Sequence, residues 1–508
     1  MSQQIRVRFA PSPTGPLHIG GVRTALYNYL FARKMGGKML LRIEDTDQNR
    51  FVPGAEEYII EALRWAGINI DEGQGVGGPD GPYRQSERRA IYQKEAQRLV
   101  DEGKAYYAFD TADELDAMRQ RLEAANAPAA QYNAITRTQM RNSLTLKPDE
   151  VRARIDAGEP HVIRLKTPRK EEVRLHDIIR GWVNVHSSAI DDKVLLKSDG
   201  LPTYHLANIV DDHLMNITHV IRGEEWLPSA PLHVLLYRYL GWEDTMPQFA
   251  HLPLLLKPEG NGKLSKRDAD LGGFPIFPLE WTDPATGVVA KGFREEGYLP
   301  EATVNFLALL GWNPGTEQEL FSMDELITTF DLAQVHKAGA RFDIQKAQWF
   351  NHQYIRERPD AELAPAVQQQ AEAAGYDCPP EKAEKIVSLL KGRVNFAREI
   401  FGEASTIFNA PATYDESIVA AKWNDDAKTA VTAFRDALQG YEGPFMADNI
   451  KHLLADTMTQ AGIKQGKIMQ AMRLALTGTG TGPDLMLTME IIGRDETVGR
   501  LASTLTTL

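Results

Sequence analysis

The sequence predicts an α/β protein that starts with parallel β-strands and ends in a long all-helical part. Three features of the chain support this fold class. The first 45 residues read as a strand, a loop, a helix and a second strand. Residues 219–221 form another apolar strand pattern, which a charged residue, a glycine and two acidic residues follow. Beyond about Val335, apolar residues recur at helical spacing and strand patterns are almost absent.

The opening unit of the chain has the order expected of a parallel crossover. Residues 5–10 alternate apolar and polar side chains, which indicates a strand. Prolines and glycines interrupt residues 11–16. Helical spacing then predicts a helix that begins just after His18 and ends near residues 36–37, and residues 38–44 read as a buried strand. Two strands joined through a helix in this way are expected to lie parallel, as in nucleotide-binding folds.

The predicted start of this helix is suited to binding a phosphate. Its first N–H groups have no helical partners, and the positive end of the helix dipole points toward the loop. Gly20 and Gly21 carry no Cβ, so the backbone can approach an adenine ring or a phosphate closely. His18 offers a donor to an α-phosphate. From this segment alone, a helix-capping or core histidine is the alternative for His18, and it is the more common one.

A second segment, residues 263–267, concentrates positive charge. Prolines and glycines just before it predict a mobile loop rather than a position inside a helix or strand. Lys263, Lys266 and Arg267 repel one another, and a polyphosphate would relieve that repulsion. The two lysines can then follow a pyrophosphate as it leaves. The alternative is a solvated basic turn, which is common for such runs.

Residues 11–21, P-S-P-T-G-P-L-H-I-G-G, and residues 263–267, K-L-S-K-R, resemble the two ATP-binding signatures of class I aminoacyl-tRNA synthetases. The match to the glutamyl-tRNA synthetase family is close, although Gly21 replaces the second histidine of the usual H-I-G-H. This resemblance implies catalytic roles for His18, Lys263 and Lys266, with Lys266 ranked first. The ATP-binding residues that it implies are Pro11, Thr14, Gly15, His18, Gly20, Gly21, Lys263, Leu264, Ser265, Lys266 and Arg267.

The resemblance also implies a pocket for glutamate. A dicarboxylic substrate needs fixed positive charge, and a guanidinium group matches a carboxylate because its donors form a planar fork. Arg8 occupies the family position that binds the side-chain carboxylate of the substrate. Ser12 and Glu44 occupy the positions that hold its ammonium group. Glu44 also ends the second predicted strand, at the edge where α/β sheets bind ligands.

Residues 195–222 are similar to the family over their whole length. The residues at substrate-contact positions in this stretch are Tyr204, Asn208 and Arg222. Arg222 directly follows a buried strand, so its charge needs a partner. An ion pair with Glu224 or Asp212 is the alternative to a bound ligand.

By resemblance the chain divides into five segments, and the amino-terminal fold is Rossmann-like. These are residues 1–86, the first half of the catalytic domain; residues 87–197, an inserted α+β domain that binds the tRNA acceptor end; residues 198–255, the second half of the catalytic domain; residues 256–335, the K-L-S-K-R loop and a stem-contact domain; and residues 336–508, the helical anticodon-binding domains. An all-helical end favours glutamyl enzymes over glutaminyl enzymes of eukaryotic origin, whose corresponding region consists of β-barrels.

Residues 272–294 depart from the family pattern and are rich in glycine, proline and aromatic side chains. They lie next to the K-L-S-K-R segment in the sequence. We expect this insert to order that segment.

Composition places the protein among ordinary water-soluble chains. With 508 residues it is too long for one core, and about three to five domains are expected. No stretch of 18 apolar residues occurs, so no membrane association is expected. The amino terminus enters the first strand at once, which leaves no room for a signal peptide and predicts a cytoplasmic protein. The family resemblance implies a monomer.

The net charge of −12 argues against indiscriminate nucleic-acid binding, so a tRNA must meet local basic surfaces. One candidate for a tRNA-binding surface lies in the helical part. A solvated helix face without a tRNA contact explains the same residues equally well. These residues are Lys382, Lys385, Lys391, Arg393 and Arg398. Cys378 is the only cysteine, which excludes the cysteine-ligated zinc site of some relatives. We therefore expect no zinc and no metal held by protein ligands.

The resemblance implies ATP-dependent attachment of L-glutamate to the 3′ end of tRNA(Glu) through a glutamyl-adenylate, assisted by Mg²⁺ on the phosphates. The family generally needs tRNA even for the first step. Whether tRNA for glutamine is a second substrate stays open. Two rivals remain: a truncated relative that modifies a tRNA base and lacks residues 336–508, and a non-catalytic paralog, which would tend to lose Lys266, Arg8 or Glu44.

Overall fold

The computed structural model describes residues 4–127 and 130–508. Residues 1–3 of the first predicted segment and residues 128–129 of the predicted insertion lie outside the described residues. The chain forms two compact units, Met1–Ala347 and Gln348–Leu508. In the part of the chain that the structure describes, no helix is long and apolar enough to cross a membrane.

The first unit contains both strands and helices. Its strands are β1 Arg6–Phe9, β2 Lys38–Leu41, β3 Glu72–Gly73, β4 Ala105–Ala108, β5 Val162–Leu165, β6 Glu172–Asp177, β7 Gly181–His186, β8 Val194–Leu196, β9 His219–Gly223, β10 Gln248–Leu252, β11 Leu255–Leu256, β12 Trp281–Thr282, β13 Val289–Ala290 and β14 Ala340–Arg341. Its helices are α1 Ile19–Lys34, α2 Ala55–Trp65, α3 Arg89–Asp101, α4 Ala112–Ala124, α5 Pro148–Asp156, α6 Tyr204–Leu214, α7 Ala230–Tyr239, α8 Lys266–Gly272, α9 Pro300–Ala308, α10 Met323–Thr329 and α11 Ile344–Glu357, which contains the boundary between the units.

The central sheet of the first unit is mainly parallel and consists of two groups of strands that no β-ladder joins. β1 pairs in parallel with β2, and β2 with β3. β9 pairs in parallel with β10, and β10 with β6. The two groups meet where the Thr218 N–H donates to the Arg6 carbonyl and the Arg6 N–H donates to Thr218 Oγ1, both at 2.9 Å. The strand order therefore reverses between β1 and β9, and ligands bind at such a switch point in open α/β sheets.

The predicted parallel crossover is confirmed. α1 begins at Ile19, directly after His18, as the spacing predicted. It ends at Lys34, slightly before the predicted glycines. β2 ends at Leu41, earlier than residue 44, because the chain leaves the sheet there and the Glu44 N–H donates to the Pro11 carbonyl at 3.0 Å.

Part of the predicted insertion belongs structurally to the central sheet. β6 and β7 form an antiparallel hairpin, and Asp177 of β6 pairs with Phe249 of β10. Tyr92 of α3 lies in the same buried apolar cluster as Leu206 of α6 and Leu235 of α7. Only β4, β5 and β8 form a separate antiparallel sheet in this region. The core of the first unit therefore crosses the boundaries that the sequence predicted at residues 87 and 197.

In its described residues, 348–508, the second unit contains helices and no strand. Its helices after α11 are α12 Asp360–Ala373, α13 Pro380–Leu390, α14 Ile400–Glu403, α15 Ser405–Phe408, α16 Glu416–Lys422, α17 Asp425–Gln439, α18 Ala447–Gln460, α19 Gln465–Thr477, α20 Leu485–Ile492 and α21 Arg494–Thr507. One buried apolar cluster takes side chains from each of the last five of these helices, namely Phe434, Leu454, Met472, Met489 and Leu501.

Two lysines of the predicted basic surface take part in ion pairs within the second unit. Lys385 Nζ lies 2.7 Å from Glu490 Oε1, and Lys391 Nζ lies 2.8 Å from Asp360 Oδ1. These contacts favour a structural role for these two lysines.

The insert at residues 272–294 folds as a hairpin of β12 and β13. Its base is closed by a hydrogen bond from the Phe293 N–H to the Phe277 carbonyl at 2.9 Å. Trp281 packs edge-on against Tyr58 of α2, with ring centroids 5.3 Å apart. A Cβ at Gly292 would overlap the backbone of Leu279, so the two arms can approach this closely only with glycine at that position.

We expect Gly292→Ala to open the insert, because overpacking against fixed backbone costs about 1–3 kcal/mol. Hydrogen exchange of residues 281–290, followed by mass spectrometry, should become faster in this variant. Gly499→Ala in α21 is the matched control, since a Cβ there meets nothing within 4 Å. Unchanged protection of the hairpin in Gly292→Ala would contradict this account of the insert.

Candidate active site

A cavity of about 500 Å³ opens at the carboxyl ends of β1, β9 and β10. Twelve of the residues predicted from the sequence line it: Arg8, Pro11, Ser12, Thr14, His18, Gly20, Gly21, Glu44, Tyr204, Arg222, Lys263 and Leu264. Five predicted residues do not line it: Gly15, Asn208, Ser265, Lys266 and Arg267. The structure thus brings the first loop, the start of α1 and the two predicted arginines to one crevice.

His18 caps α1, as the structural alternative for this residue predicted. Its Nδ1 accepts the Gly20 N–H at 3.0 Å, so the proton of the neutral ring lies on Nε2. Burial, with a smaller contribution from the Lys263 ammonium, lowers the pKa of His18 to about 4. Nε2 is buried and has no hydrogen-bond partner among the described residues. The cap therefore fixes one tautomer and leaves a single unused N–H donor in a residue that lines the cavity.

The three glycines of the first motif have different structural reasons. A Cβ at Gly21 would lie 2.5 Å from the end of the Leu17 side chain, so a larger residue there would force Leu17 to move. Gly20 lies beside the His18 ring and donates the capping hydrogen bond. Gly15 has φ of +142° and open space around it, which indicates a conformational need rather than a close approach.

The prediction that residues 263–267 form a loop is wrong for Lys266 and Arg267, because α8 begins at Lys266. Ser265 and Asp268 form a capping box in which the Ser265 N–H donates to Asp268 Oδ2 at 3.0 Å. This S-x-x-D spacing is a helix-start signal that the glycines before it obscured. Lys266 lines a second cavity, of about 260 Å³, whose other walls include Phe274 and Phe277 of the insert.

Lys263 and Leu264 precede α8 in extended backbone. The Leu264 N–H donates to the Leu255 carbonyl at 2.8 Å, which anchors this segment to the edge of the cavity. Lys263 Nζ lies 3.1 Å from Glu225 Oε1, and both side chains are exposed. An exposed ion pair of this kind is weak, so Lys263 is free to exchange Glu225 for an anion in the cavity.

In the wall of the cavity and behind it, three buried arginines pair with three buried carboxylates. Asp212 Oδ1 accepts from Arg8 Nε at 3.0 Å and from Arg42 Nη1 at 2.8 Å. Arg42 Nη2 also donates to Glu44 at 3.2 Å. The third pair consists of Arg88 and Asp211, at 2.7 Å. This cluster, defined by Arg8, Arg42, Arg88, Asp211, Asp212 and Glu44, balances its own formal charge.

The pKa values of two carboxylates in this cluster, Asp212 and Glu44, are shifted in opposite directions. Burial raises the pKa of Asp212, but the charges and hydrogen bonds of Arg8 and Arg42 outweigh burial and leave that pKa lowered. Burial raises the pKa of Glu44 to about 6, against the opposing effect of Arg42 and Arg8. Glu44 lines the cavity and is therefore the one member of the cluster whose charge an incoming cation would stabilise.

Arg222 is buried, but it is not paired with any carboxylate among the described residues. Its Nη1 donates to the Tyr204 hydroxyl at 2.8 Å, and its Nε donates to His251 Nε2 at 3.0 Å. The proposed ion pair with Glu224 or Asp212 is wrong. Glu224 binds Arg180 at 2.6 Å, and Asp212 binds the arginines of the cluster.

Asn208 lies behind the wall of the cavity. Its Nδ2 donates to the Tyr204 hydroxyl at 2.8 Å, and its Oδ1 accepts from Arg8 and Arg42 at 3.3 Å. Tyr204 in turn stacks against Trp226, with ring centroids 4.1 Å apart. Asn208 therefore holds residues that line the cavity and does not line it itself.

Two family models match the chain. One, described as tRNA synthetases class I (E and Q), catalytic domain, matches residues 4–349, and an anticodon binding domain matches residues 362–505. A glutamate–tRNA ligase from Cytophaga hutchinsonii is 65% identical over 100% of this chain and 98% of its own length. The corresponding enzyme of Amoebophilus asiaticus is 59% identical over 99% and 98%.

The chain belongs to the glutamate–tRNA ligase family of class I synthetases. Solved structures of this family superpose closely. A glutamate tRNA ligase from Elizabethkingia meningosepticum, in complex with its amino acid, gives a TM-score of 0.92 at 49% identity, with 100% of both chains covered. The glutamate–tRNA synthetase of Elizabethkingia anophelis gives 0.91 at 50% identity over 99% and 100%. The anticodon-domain match also excludes the truncated relative, which lacks that part.

Several residues of this glutamate–tRNA ligase site did not emerge from the sequence. Trp226 lines the cavity, and Arg42, His233 and His251 lie directly behind residues that do. A polar residue at the carboxyl end of a buried strand is the signal that could have found Arg42 and His251. His233 gives no such signal, because it lies within α7 among apolar residues.

We expect Asp212→Asn to destabilise the first unit by roughly 3–5 kcal/mol, since breaking a buried pair leaves uncompensated charge on Arg8 and Arg42. Urea-dependent hydrogen exchange of β1 and β2 would report this change separately from the second unit. Glu102→Gln, which removes an exposed pair with Arg98, is the control and should change stability by about 0.5 kcal/mol or less.

The pH dependence has a defined sign. The pKa of Asp212 is lowered by folding, so its contribution is present above the ordinary carboxyl range and is lost as pH falls through the lowered value. The difference between wild type and Asp212→Asn should shrink in acid. A difference that grows on acidification would contradict the assignment.

Proposed function

We propose that this chain joins L-glutamate to the 3′ end of tRNA(Glu) in an ATP-dependent reaction through a glutamyl-adenylate, releasing pyrophosphate and AMP. One observation carries the proposal most directly. Arg222, a buried cation without a carboxylate partner among the described residues, lines the same cavity as the start of α1. A dicarboxylic substrate supplies the missing negative charge, and family membership specifies glutamate.

In the proposed binding mode, glutamate uses both charged walls of the cavity. Its side-chain carboxylate binds Arg222 and the Tyr204 hydroxyl, and its ammonium group binds Glu44 and Ser12. Arg8 lies on the same wall, but Asp212 already compensates its charge. We therefore assign Arg8 a smaller share of carboxylate binding than the sequence predicted, with Asn208 holding both Arg8 and Tyr204 in position.

ATP is proposed to bind at the start of α1. The loop residues Pro11, Thr14 and Gly15, together with Gly20 and Gly21, are proposed to surround the adenosine and the phosphates. The N–H groups of Thr14, Gly20 and Gly21 already donate within the protein, so the positive end of the α1 dipole is what favours the phosphates here. The Nε2–H of neutral His18 donates to the α-phosphate. Lys263 exchanges Glu225 for the phosphates, with Leu264 and Ser265 placing it. Lys266 and Arg267 are proposed to act after a shift of α8, because Lys266 lines the second cavity.

The chemistry needs positioning and charge stabilisation rather than a protein nucleophile. The α-carboxylate of glutamate attacks the α-phosphorus, and the bond to pyrophosphate breaks in line with it. The Nε2–H of His18 stabilises charge on the phosphoryl oxygens, and the lysines stabilise the departing pyrophosphate. The terminal ribose 2′-hydroxyl of the tRNA then attacks the carbonyl carbon of the adenylate. AMP leaves with the electrons of the broken C–O bond, and the hydroxyl proton passes to the departing phosphate.

Class I synthetases typically use Mg²⁺. Among the described residues, no group of three or more His, Cys, Asp or Glu side chains is arranged to hold a metal ion. Mg²⁺ commonly binds through substrate phosphates and water. We propose that it enters with ATP, where it would neutralise phosphate charge, and none of the residue roles above depends on it.

The proposed partner tRNA(Glu) meets the helical second unit through the domain matched at residues 362–505. Because the chain carries a net charge of −12, contact with tRNA depends on local basic surfaces and should weaken steeply with salt. We propose, from the family resemblance alone, that the protein acts as a monomer. We place the protein in the cytoplasm, where translation consumes aminoacyl-tRNA.

Arg222→Ala should abolish most glutamate activation while the KM for ATP stays near the wild-type value. Truncating one partner of a buried, hydrogen-bonded charge pair costs about 2–5 kcal/mol, which is roughly 30-fold to several thousand-fold in kcat/KM. The assay is glutamate-dependent ATP/pyrophosphate exchange with tRNA(Glu) present. Arg98→Ala, on the exposed face of α3, is the control. Normal exchange by Arg222→Ala would refute the assignment.

Glutamate binding should weaken in mild acid. Because burial raises the pKa of Glu44 to about 6, the free site loses its anion as pH falls through that value. The KM for glutamate should rise by up to tenfold per pH unit below about 6, as expected for one linked proton. In Glu44→Gln, the KM should be high and nearly independent of pH between 7.5 and 5. A flat wild-type profile over this range would count against Glu44 as the ammonium ligand.

The same shift has an opposite effect on folding. A carboxyl group whose pKa is raised by folding contributes stability below its unfolded pKa, and that contribution is lost as pH rises through about 6. The folded protein is therefore less stable with Glu44 charged than with Glu44 protonated, until a ligand cation binds.

A further inference from the structure

The guanidinium group of Arg222 is held on its buried side by uncharged groups. Nε donates to His251 Nε2 at 3.0 Å, Nη2 donates to His233 Nδ1 at 3.2 Å, and Nη1 donates to the Tyr204 hydroxyl at 2.8 Å. The ring of Phe249 lies 5.7 Å from the guanidinium carbon. Arg222, His233 and His251 are all nearly inaccessible to solvent, at 5%, 0% and 0% exposure.

Hydrogen bonds on the far side of each imidazole fix it in the accepting tautomer. His251 Nδ1 lies 2.6 Å from Asp177 Oδ2, so it carries the proton and leaves Nε2 to accept from Arg222. His233 Nε2 lies 3.2 Å from His205 Nδ1 and donates to it, which leaves His233 Nδ1 to accept from Arg222. Burial lowers the pKa of both His233 and His251, and the Arg222 charge lowers each further.

The neighbouring buried arginines, in contrast to Arg222, pair with a carboxylate. Arg8 and Arg42 share Asp212, and their charges are compensated inside the protein. Two carboxylates close to Arg222 in the fold already bind other residues. Asp177 binds the far side of His251, and Glu224 binds Arg180 at 2.6 Å. Among the described residues, the protein thus provides Arg222 with uncharged hydrogen-bond acceptors and with no paired carboxylate.

We propose that His233 and His251 are positioning residues that set the preference for a carboxylate over a carboxamide side chain, by fixing Arg222 through uncharged acceptors so that its counter-charge must come from the substrate. This inference rests on the proposed glutamate activation. L-glutamine has nearly the shape of L-glutamate and can accept a hydrogen bond from Nη1, but it cannot neutralise the guanidinium charge. Discrimination then depends on how much uncompensated charge Arg222 retains.

A matched pair of variants at position 233 separates charge from shape. In His233→Asn, the side-chain oxygen replaces Nδ1 as an uncharged acceptor. In His233→Asp, an oxygen at the same place carries negative charge and compensates Arg222 internally. Both variants lose the hydrogen bond to His205, so they differ mainly in charge at Arg222.

The measurement is ATP/pyrophosphate exchange with tRNA(Glu) present, giving the KM for L-glutamate, the Ki of L-glutamine as a competitor and the KM for ATP. Preference is the ratio of the glutamine Ki to the glutamate KM. We expect His233→Asn to keep this ratio within about threefold of wild type. His233→Asp should lower it by tenfold or more, through a higher KM for glutamate, while the KM for ATP changes by less than about twofold.

Two results would overturn the inference while the wild type remains active. The first is a ratio of glutamine Ki to glutamate KM in His233→Asp that equals the ratio of the wild type. The second is an equal loss of preference in both variants, which would mean that packing and not charge matters. If wild type itself shows no glutamate-dependent exchange, the proposed function fails and takes this inference with it.

A second pair keeps the test decisive if His233→Asp does not fold. In an Asp177→Asn background, which removes the neighbouring carboxylate, His251→Glu and His251→Gln place a charged and an uncharged acceptor near the position of Nε2. The same ordering is expected, with preference lost in the Glu variant and retained in the Gln variant. Equal preference in these two variants would overturn the inference.

Discussion

Arg222 brings a full positive charge into the interior of the first unit, and the described residues around it offer no carboxylate in return. Burying an uncompensated charge is unfavourable by several kcal/mol, so the folded state is stabilised by whatever anion completes the site. The neighbouring cluster of three arginines and three carboxylates differs from Arg222, because its charges are already balanced within the protein. Substrate binding and protein stability are therefore linked through one guanidinium group.

The start of α1 shows how a structural role and a chemical role combine in one residue. His18 satisfies the Gly20 N–H as a helix cap, and that contact forces the ring proton onto Nε2. A capping interaction thus prepares a neutral donor at the amino-terminal end of α1, where we propose that the phosphates bind. The insert reaches the same place, since the Ile19 N–H donates to the Ile276 carbonyl at 2.9 Å and Phe277 packs edge-on against His18. The start of α1 is thus held both by the His18 cap and by the insert.

Local periodicity predicted the crossover from β1 through α1 to β2, because alternation and helical spacing depend on residues close in sequence. The family resemblance supplied the twelve predicted residues that line the cavity, and they meet there because strand ends and helix starts converge in this topology. Local sequence patterns failed where contacts between residues far apart in the chain determine the structure. The neutral setting of Arg222 depends on α7 and β10, and the pairing of Arg8 depends on Asp212 in α6. The β6–β7 hairpin joined the central sheet through β10, a pairing that no local pattern reveals.

The central claim is that the substrate, and not the protein, compensates Arg222. A crystal structure of this protein with L-glutamate tests it most directly. We predict that the side-chain carboxylate of glutamate lies within hydrogen-bonding distance of Arg222 Nη1, with His233 and His251 still accepting from the guanidinium and Asp212 still paired with Arg8. A side-chain carboxylate bound to Arg8 in place of Asp212, with Arg222 left in contact with its uncharged neighbours alone, would contradict the account.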